Sequence, residues 1–374
     1  MSLPVGYHRF HPDTNLNFQL NRLVADGTPE MLAEVTATSP RLRDFVTWHD
    51  ELRALSDRAW RESRLRTSCA YLRAASFFLP PAARRAPYDE WRERIDEAWM
   101  GEFTREVVAS QGAKLPLLRL EPPPARGFKG TIVFFGGFDS YIEEFLPAYA
   151  WFRDAGYRVF AFDGPGQGEV LIRQGIPMTP DWESPVSAVL DHTGARDVTL
   201  IGISLGGCLA IRAAAREPRV SRVVAFDILS DFFACVASRR GRVGEVLLRA
   251  GLAAGGDVLL DKAIHAAMRV DKLTAWGIEQ GMFVTGAGGP SAFLRQAMRY
   301  QTADRSCEVE QDVLLLAGED DHFVPLEQLA AQRSSLTGAR SVSSRVFTAA
   351  ESAAAHVQMG NLPLAFQTIA RWVD

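Results

Sequence analysis

Residues 198–207 read VTLIGISLGG, and this stretch decides the fold. Val198-Thr199-Leu200-Ile201 is an apolar, β-branched run of strand length, and a helix-like run from Cys208 to Arg216 follows it. Between them Gly202-Ile203-Ser204-Leu205-Gly206 fits G-x-S-x-G. A strand that passes into a helix through such a serine turns so sharply that bulky side chains two residues either side would clash, and glycine at 202 and 206 removes them. The serine then projects at the carboxyl edge of a sheet, beside a helix N-terminus that favours developing negative charge.

Working outward, the same grammar repeats. Thr131–Phe135, Tyr157–Phe162, Val223–Phe226, Val313–Leu316 and Ser344–Phe347 are further β-branched or aromatic runs, separated by helix-length segments. That alternation predicts an α/β chain with a mostly parallel central sheet flanked by helices. Residues 229–305 hold no clear strand and read as helical, for example over Val246–Ala253 and Asp257–Met268. Too long for a simple connection, this segment is expected to be a helical cap insertion over the strand ends.

Ahead of the first run the spacing changes. Leu42, Phe45, Val46, His49, Leu52, Leu55 and Ala59 recur at steps of three and four, as do Trp91, Ile95, Trp99, Phe103 and Val107. Both predict amphipathic helices, broken between them by Pro80-Pro81 and Pro87. Residues 1–120 are therefore expected to form a helical N-terminal lid module, and 121–374 the α/β core, joined by the stiff Glu121-Pro122-Pro123-Pro124 connector.

Composition limits the functions available. The 374 residues are 47% hydrophobic, with 41 basic and 45 acidic side chains and a net charge of −4. That balance argues against a nucleic-acid partner, which would need a basic face. No apolar run approaches the ~20 residues of a membrane helix. The opening Met1–Val5 lacks the positive cluster and apolar stretch of a secretory signal. Cys69, Cys208, Cys235 and Cys307 are scattered, form no CxxC pair and fit free thiols in a reducing cytoplasm. A cytoplasmic protein without membrane or nucleic-acid partners is expected. The helices of the lid module also offer a surface for a homodimer.

A serine hydroxyl is a poor nucleophile near neutral pH and needs a base, which in turn needs an orienting acid. For this elbow the expected chain order is serine, acid, histidine. After Val313–Leu316 comes AGEDDHFVP, residues 317–325, in which Asp321 has the better spacing for the acid and Asp320 is its rival. After the last strand comes ESAAAHVQ, residues 351–358, and His356 there is the only histidine after His322. His322 adjoins the acid and reads as its neighbour, since the base must approach from a different loop. An oxyanion needs two backbone N–H donors. Leu205, next to the nucleophile, supplies one, and Phe138 in the FGGFDS loop after the first core strand supplies the other.

Other motifs read as structural. Glu143-Glu144 should open a helix, where acids suit the dipole, with a part in substrate polarity as the sharper reading. Asp163–Glu169, DGPGQGE, imitates a dinucleotide loop, but Pro165 and the missing helix start favour a tight loop bordering the cleft. Arg239-Arg240-Gly241-Arg242 reads as a solvated loop, and His8 and His11 as part of a loose polar end. Asp320-Asp321-His322 has the residue types of a metal cluster, but adjacent loop residues seldom all point at one ion. No metal and no cofactor are expected.

Taken together, GISLGG, FFGGFDSYIEE, FDGPGQGE, AGEDDHFVP and AAAHVQMGN resemble the α/β-hydrolase superfamily. More narrowly, the chain is similar to the branch that includes 2,6-dihydroxypseudooxynicotine hydrolase and polyketide-shortening hydrolases, whose members carry a helical N-terminal lid. The resemblance spans about residues 125–374 and is architectural before that. It implies that Ser204, Asp321 and His356 are nucleophile, acid and base, with Leu205 and Phe138 as oxyanion donors. One departure is Val357, where the branch often has cysteine. The function expected is a serine-dependent enzyme that cleaves an ester or activated C–C bond in a medium-sized, partly hydrophobic, polyketide-like small molecule. The alternatives are a lyase that eliminates a carboxylate such as acetate with the same triad, and a non-catalytic small-molecule receptor on this fold.

Overall fold

The computed structural model describes residues 3–237 and 241–374. Arg239 and Arg240 of the basic cluster lie outside them, while Gly241 and Arg242 begin a helix. The N-terminal helices are α1 (Thr14–Leu23), α2 (Pro29–Thr38), α3 (Phe45–Arg61), α4 (Leu65–Ala75) and α5 (Arg85–Ala98). Side-chain caps start several of them. Asp13 accepts from the N–H of Asn15 and Leu16, Thr28 from that of Met31, and Asp44 forms a capping box with Thr47. Leu20, Met31, Trp48, Leu52 and Tyr71 bury the inner faces of these helices in a core of their own.

The sheet begins earlier than the spacing of Phe103 and Val107 predicts. Helix α5 ends at Ala98, and Gly101 at φ +78° turns the chain into strand β1 (Thr104–Ser110). A tight turn at Gln111-Gly112, both at positive φ, pairs β1 with β2 (Ala113–Leu120) as an antiparallel hairpin. Val107 sits on the exposed face of this edge strand, so its apolar character mimicked a helix stripe without one. The proline-rich connector therefore joins two strands of one sheet.

The rest of the chain alternates. Strand β3 (Gly130–Phe135) leads through α6 (Leu146–Asp154) to β4 (Tyr157–Phe162), then α7 (Gly168–Gln174) and α8 (Glu183–Thr193). Strand β5 (Val198–Ile203), α9 (Leu205–Ala214) and β6 (Val220–Phe226) follow. Next come α10 (Phe232–Ala237), α11 (Gly241–Ala253), α12 (Asp257–Val270), α13 (Lys272–Thr285) and α14 (Pro290–Ala297), which occupy the segment expected to be a helical insertion. Strand β7 (Asp312–Gly318), α15 (Glu327–Ser335), β8 (Ser341–Phe347) and α16 (Leu362–Val373) complete the order. The strands are arranged β1-β2-β4-β3-β5-β6-β7-β8, parallel from β4 through β8 and antiparallel at β1/β2 and β2/β4.

Strand β5 is buried along its whole length because helices cover both faces of the sheet. Alternate residues serve opposite layers, with Val133, Phe135, Val198 and Leu200 on one side and Ile132, Phe134, Ile201 and Ile203 on the other. A Leu-to-Ala truncation at Leu200 would cost about 2–5 kcal/mol.

Glu143 and Glu144 lie in a 3₁₀ turn, Ile142–Phe145, that leads into α6, and they dock the N-terminal helices. The Glu143 carboxylate is fully buried and pairs with Arg92 at 3.1 Å and Arg105 at 2.7 Å. Glu144 takes Arg22 at 2.6 Å and Arg73 at 2.7 Å. The amino end is tied down as well. Asn21 and the main chain of His8 exchange hydrogen bonds of 2.7 and 2.8 Å, and the Asp13 N–H donates to His11 Nδ1. The stretch expected to be a loose polar end is thus held against α1. Among the described residues no helix is long and apolar enough to cross a membrane.

Candidate active site

Ser204 sits between β5 and α9 at φ 60°, ψ −123°, a backbone conformation that non-glycine residues rarely adopt. Its N–H donates to the Phe226 carbonyl at 2.7 Å, and its own carbonyl accepts from Gly207 at 2.7 Å. The glycines the sequence pointed to are required by contact. A Cβ on Gly202 would stand 1.9 Å from the Gly206 carbonyl oxygen, and one on Gly206 would stand 2.6 Å from that of Gly136.

His356 approaches from the turn after β8. Its Nε2 is 2.8 Å from Ser204 Oγ and its Nδ1 2.6 Å from Asp321 Oδ2. A carboxylate only accepts, so Nδ1 carries the proton and Nε2 is left to accept from the serine hydroxyl. Asp321, on the loop after β7, also accepts from the N–H of Phe323 at 2.8 Å and of Val324 at 3.0 Å. Asp320 is exposed, and its N–H donates to the Ala354 carbonyl. Between the two rivals, it is Asp321 that meets the histidine. The His322 ring packs against Phe18 and Phe323, the two rings that also flank His356.

A fourth residue, which the sequence reading missed, joins this cluster. Asp227, at the end of β6, is buried with Oδ2 3.8 Å from His356 Nδ1. It accepts from the N–H of Val357 at 3.0 Å. Burial and the neighbouring Asp321 push its carboxyl well above the ordinary carboxylate range. Burial also works against the Asp321 charge, but the His356 pairing and two backbone N–H groups outweigh it and lower its pKa. The two shifts run in opposite directions, so between the two acids the negative charge is favoured on Asp321 and the proton on Asp227. For His356 burial alone would lower the pKa, while pairing with Asp321 raises it above 6.5. The signal available for Asp227 was its position after strand β6, but nothing about the dipeptide Phe226-Asp227 marks it as near a histidine 129 residues later in the chain.

Phe138 and Leu205 flank the serine. Leu205 opens α9, so its N–H has no partner within the helix. The loop that carries Phe138 lies directly on the elbow, since a Cβ on Gly137 would stand 2.9 Å from the Leu205 nitrogen. Beyond them opens a cavity of about 540 Å³, lined by Phe18, Phe77, Phe138, Phe232, Trp276 and Phe293, with Arg22 and Asp139 at one side. Phe18 comes from α1 and approaches the His356 ring to 6.0 Å, a contact with no local signal in the sequence.

The DGPGQGE loop is filled by its own contacts. Asp163 accepts from the N–H of Ile142 and Glu169, Gln167 reaches across to the Gly136 carbonyl, and a Cβ on Gly166 would strike Met178. These glycines serve close packing, and α7 does begin at Gly168, contrary to the reading that no helix opens there. Asp227, Asp321 and His356 are the described residues whose ligand atoms gather within 4.8 Å, but both Asp321 oxygens are already taken by N–H donors.

A family model described as serine aminopeptidase, S33, matches residues 127–347. Hydrolase LUC6 of a Fusarium species is 29% identical over 84% of this chain and 84% of its own. The 20-hydroxy-prefusarin hydrolase FUS2 of Gibberella moniliformis is 28% identical over 77% of this chain and 78% of its own. Among solved structures, 2,6-dihydroxy-pseudo-oxynicotine hydrolase superposes with a TM-score of 0.66 at 19% identity, covering 94% of both chains.

Proposed function

Because this chain belongs to the serine aminopeptidase S33 family and is a hydrolase of the α/β fold, we propose that it cleaves an ester or an activated C–C bond beside a ketone through Ser204. The single observation that carries this reading is the continuous line from Asp321 through His356 to Ser204, with contacts of 2.6 and 2.8 Å. In the reaction His356 Nε2 takes the serine proton as Oγ attacks the substrate carbonyl, then returns it to the leaving group. Asp321 fixes the tautomer and stabilises the imidazolium. The N–H groups of Leu205 and Phe138 receive the oxyanion. Water then attacks the acyl-serine by the same proton route.

The substrate on this reading is a medium-sized, partly hydrophobic small molecule of polyketide type. An aromatic cavity of about 540 Å³ suits it, and relatives include one named for 20-hydroxy-prefusarin. Helices α1–α5 act as a lid and α10–α14 as a cap, covering the cleft and excluding water. The test is fluorophosphonate labelling followed by product analysis by mass spectrometry with acylated metabolites. Wild type should carry the adduct on Ser204 and release an acid and an alcohol or ketone, and Ser204→Ala should do neither. An unlabelled wild type that still binds ligand would refute the reading, and an alkene product would replace hydrolysis by elimination.

A further inference from the structure

The loop that carries Phe138 is held in an unusual way. Each of its carbonyl groups from Gly136 to Asp139 accepts from a side chain outside the loop. Gln167 Nε2 reaches the carbonyls of Gly136 at 2.6 Å and Gly137 at 3.3 Å. Gln280 Nε2 reaches that of Phe138 at 3.1 Å, and Arg73 that of Asp139 at 2.6 Å. Within a trans peptide the C=O of one residue opposes the N–H of the next. Capture of the Gly137 carbonyl therefore sets where the Phe138 N–H points, and capture of the Phe138 carbonyl fixes the peptide plane on the other side of its Cα.

Both glutamines have one permitted orientation. The Gln280 Oε1 accepts from the Arg84 guanidinium, which can only donate, so its Nε2 must face the Phe138 carbonyl. The Gln167 Oε1 accepts from the Gly164 N–H at 3.1 Å, which turns its Nε2 to the loop in the same way. Both glutamines are buried, where a hydrogen bond is stronger than in water. Gln280 lies on α13 and Arg84 lies just before α5. The contact on the Phe138 carbonyl therefore runs through a residue of α13 that is itself held by one just before α5.

We propose that Gln167 and Gln280 are positioning residues for the Phe138 oxyanion donor, and that Gln280 with Arg84 makes this donor dependent on closure of the cap and lid helices over the core. The proposal rests on the reading of Ser204 as nucleophile. Glutamate substitutions isolate the effect, because each keeps the Oε1 acceptor and the shape but replaces the N–H donor by an oxygen that repels a carbonyl.

The test compares two ketones as inhibitors or, where no turnover substrate is in hand, as ligands. One is 1,1,1-trifluorododecan-2-one, which adds to a serine hydroxyl as a tetrahedral oxyanion. The other is dodecan-2-one, which binds without adding. In wild type the fluorinated ketone should bind far tighter, and Ser204→Ala should abolish the difference. In Gln280→Glu and Gln167→Glu the preference should shrink 10- to 100-fold, the size of a misaimed oxyanion donor, while dodecan-2-one keeps its affinity within threefold. Gln280→Met, which removes the donor without adding charge, should shrink it similarly. A wild-type preference that disappears in Ser204→Ala but persists undiminished in all three glutamine variants would overturn the positioning role alone. Equal loss for both ketones would assign the glutamines to general packing and also overturn it. No preference in wild type would remove the nucleophile reading, and this proposal with it.

Discussion

At the scale of single residues, the question is why two buried acids stand beside one histidine. Because the fold favours the charge on Asp321 and the proton on Asp227, the two are not interchangeable. Asp321→Asn should reverse the imidazole tautomer and lower kcat roughly 10³- to 10⁴-fold. Asp227→Asn replaces the acid whose charge the fold disfavours and should leave kcat within about tenfold; ester turnover by the two variants checks both. The buried Asp227 also predicts a stability trend. Below an ordinary carboxyl pKa of about 3.9 both folded and unfolded chains hold its proton. As pH rises past that value the unfolded chain releases the proton and the folded chain does not, so folding loses ground with increasing pH. Asp227→Asn lacks this penalty. Its melting temperature should therefore rise relative to wild type between pH 4 and pH 8 and should match most nearly at pH 4. A constant offset across that range would mean that Asp227 is ionised in the fold. His356 acts in the opposite sense on the rate. Its pKa is raised, so the neutral base is lost as pH falls and the acid limb of kcat/KM should lie above an ordinary histidine.

At the scale of elements, buried ion pairs act beside apolar packing in fixing how α4, α5 and β1 meet the core. The Glu143 carboxylate faces Arg92 and Arg105 with no exposure of its own. Glu143→Gln keeps the shape and leaves two partly buried guanidinium groups short of one charge, which should cost on the order of 3 kcal/mol in urea unfolding. These pairs also show what the sequence could and could not reveal. The strands around Ser204 were legible because a β-branched run declares itself within six residues. The meeting of Ser204, His356 and Asp321 was legible because each follows a strand in a fixed order. The docking role of Glu143 was not, since its partners lie 38 and 51 positions away and only the fold brings them together. The same holds for Phe18, whose helix precedes the periodic stretch that drew attention, and for Asp227, whose neighbour is made by the parallel register. Val107 failed for the converse reason, an apolar residue on an exposed edge strand that continued a helical spacing by accident.

At the scale of the whole molecule, the cavity exists because the two helical layers meet above the sheet edge. Trp276 of α13 stacks on Phe77 at 5.0 Å and donates its indole N–H to the Phe77 carbonyl at 3.3 Å, which joins the layers at the cavity roof. The next residue, Gly277, lines the cavity, and no atom lies within 4 Å of where its Cβ would stand. Leucine there would meet no neighbouring atom, and on the cavity lining it would narrow the space a substrate fills. Gly277→Leu should therefore shorten the chain that fits without disturbing the serine. Losing burial of three methylenes, at about 0.8 kcal/mol each, is a factor of roughly 50 in kcat/KM. That loss should fall on p-nitrophenyl octanoate and longer esters and spare the acetate. The substitution also replaces glycine within a helix, so the melting temperature should hold or rise. A loss of equal size on acetate and octanoate would show that the variant disturbs Ser204 itself, and that this cavity does not select by length.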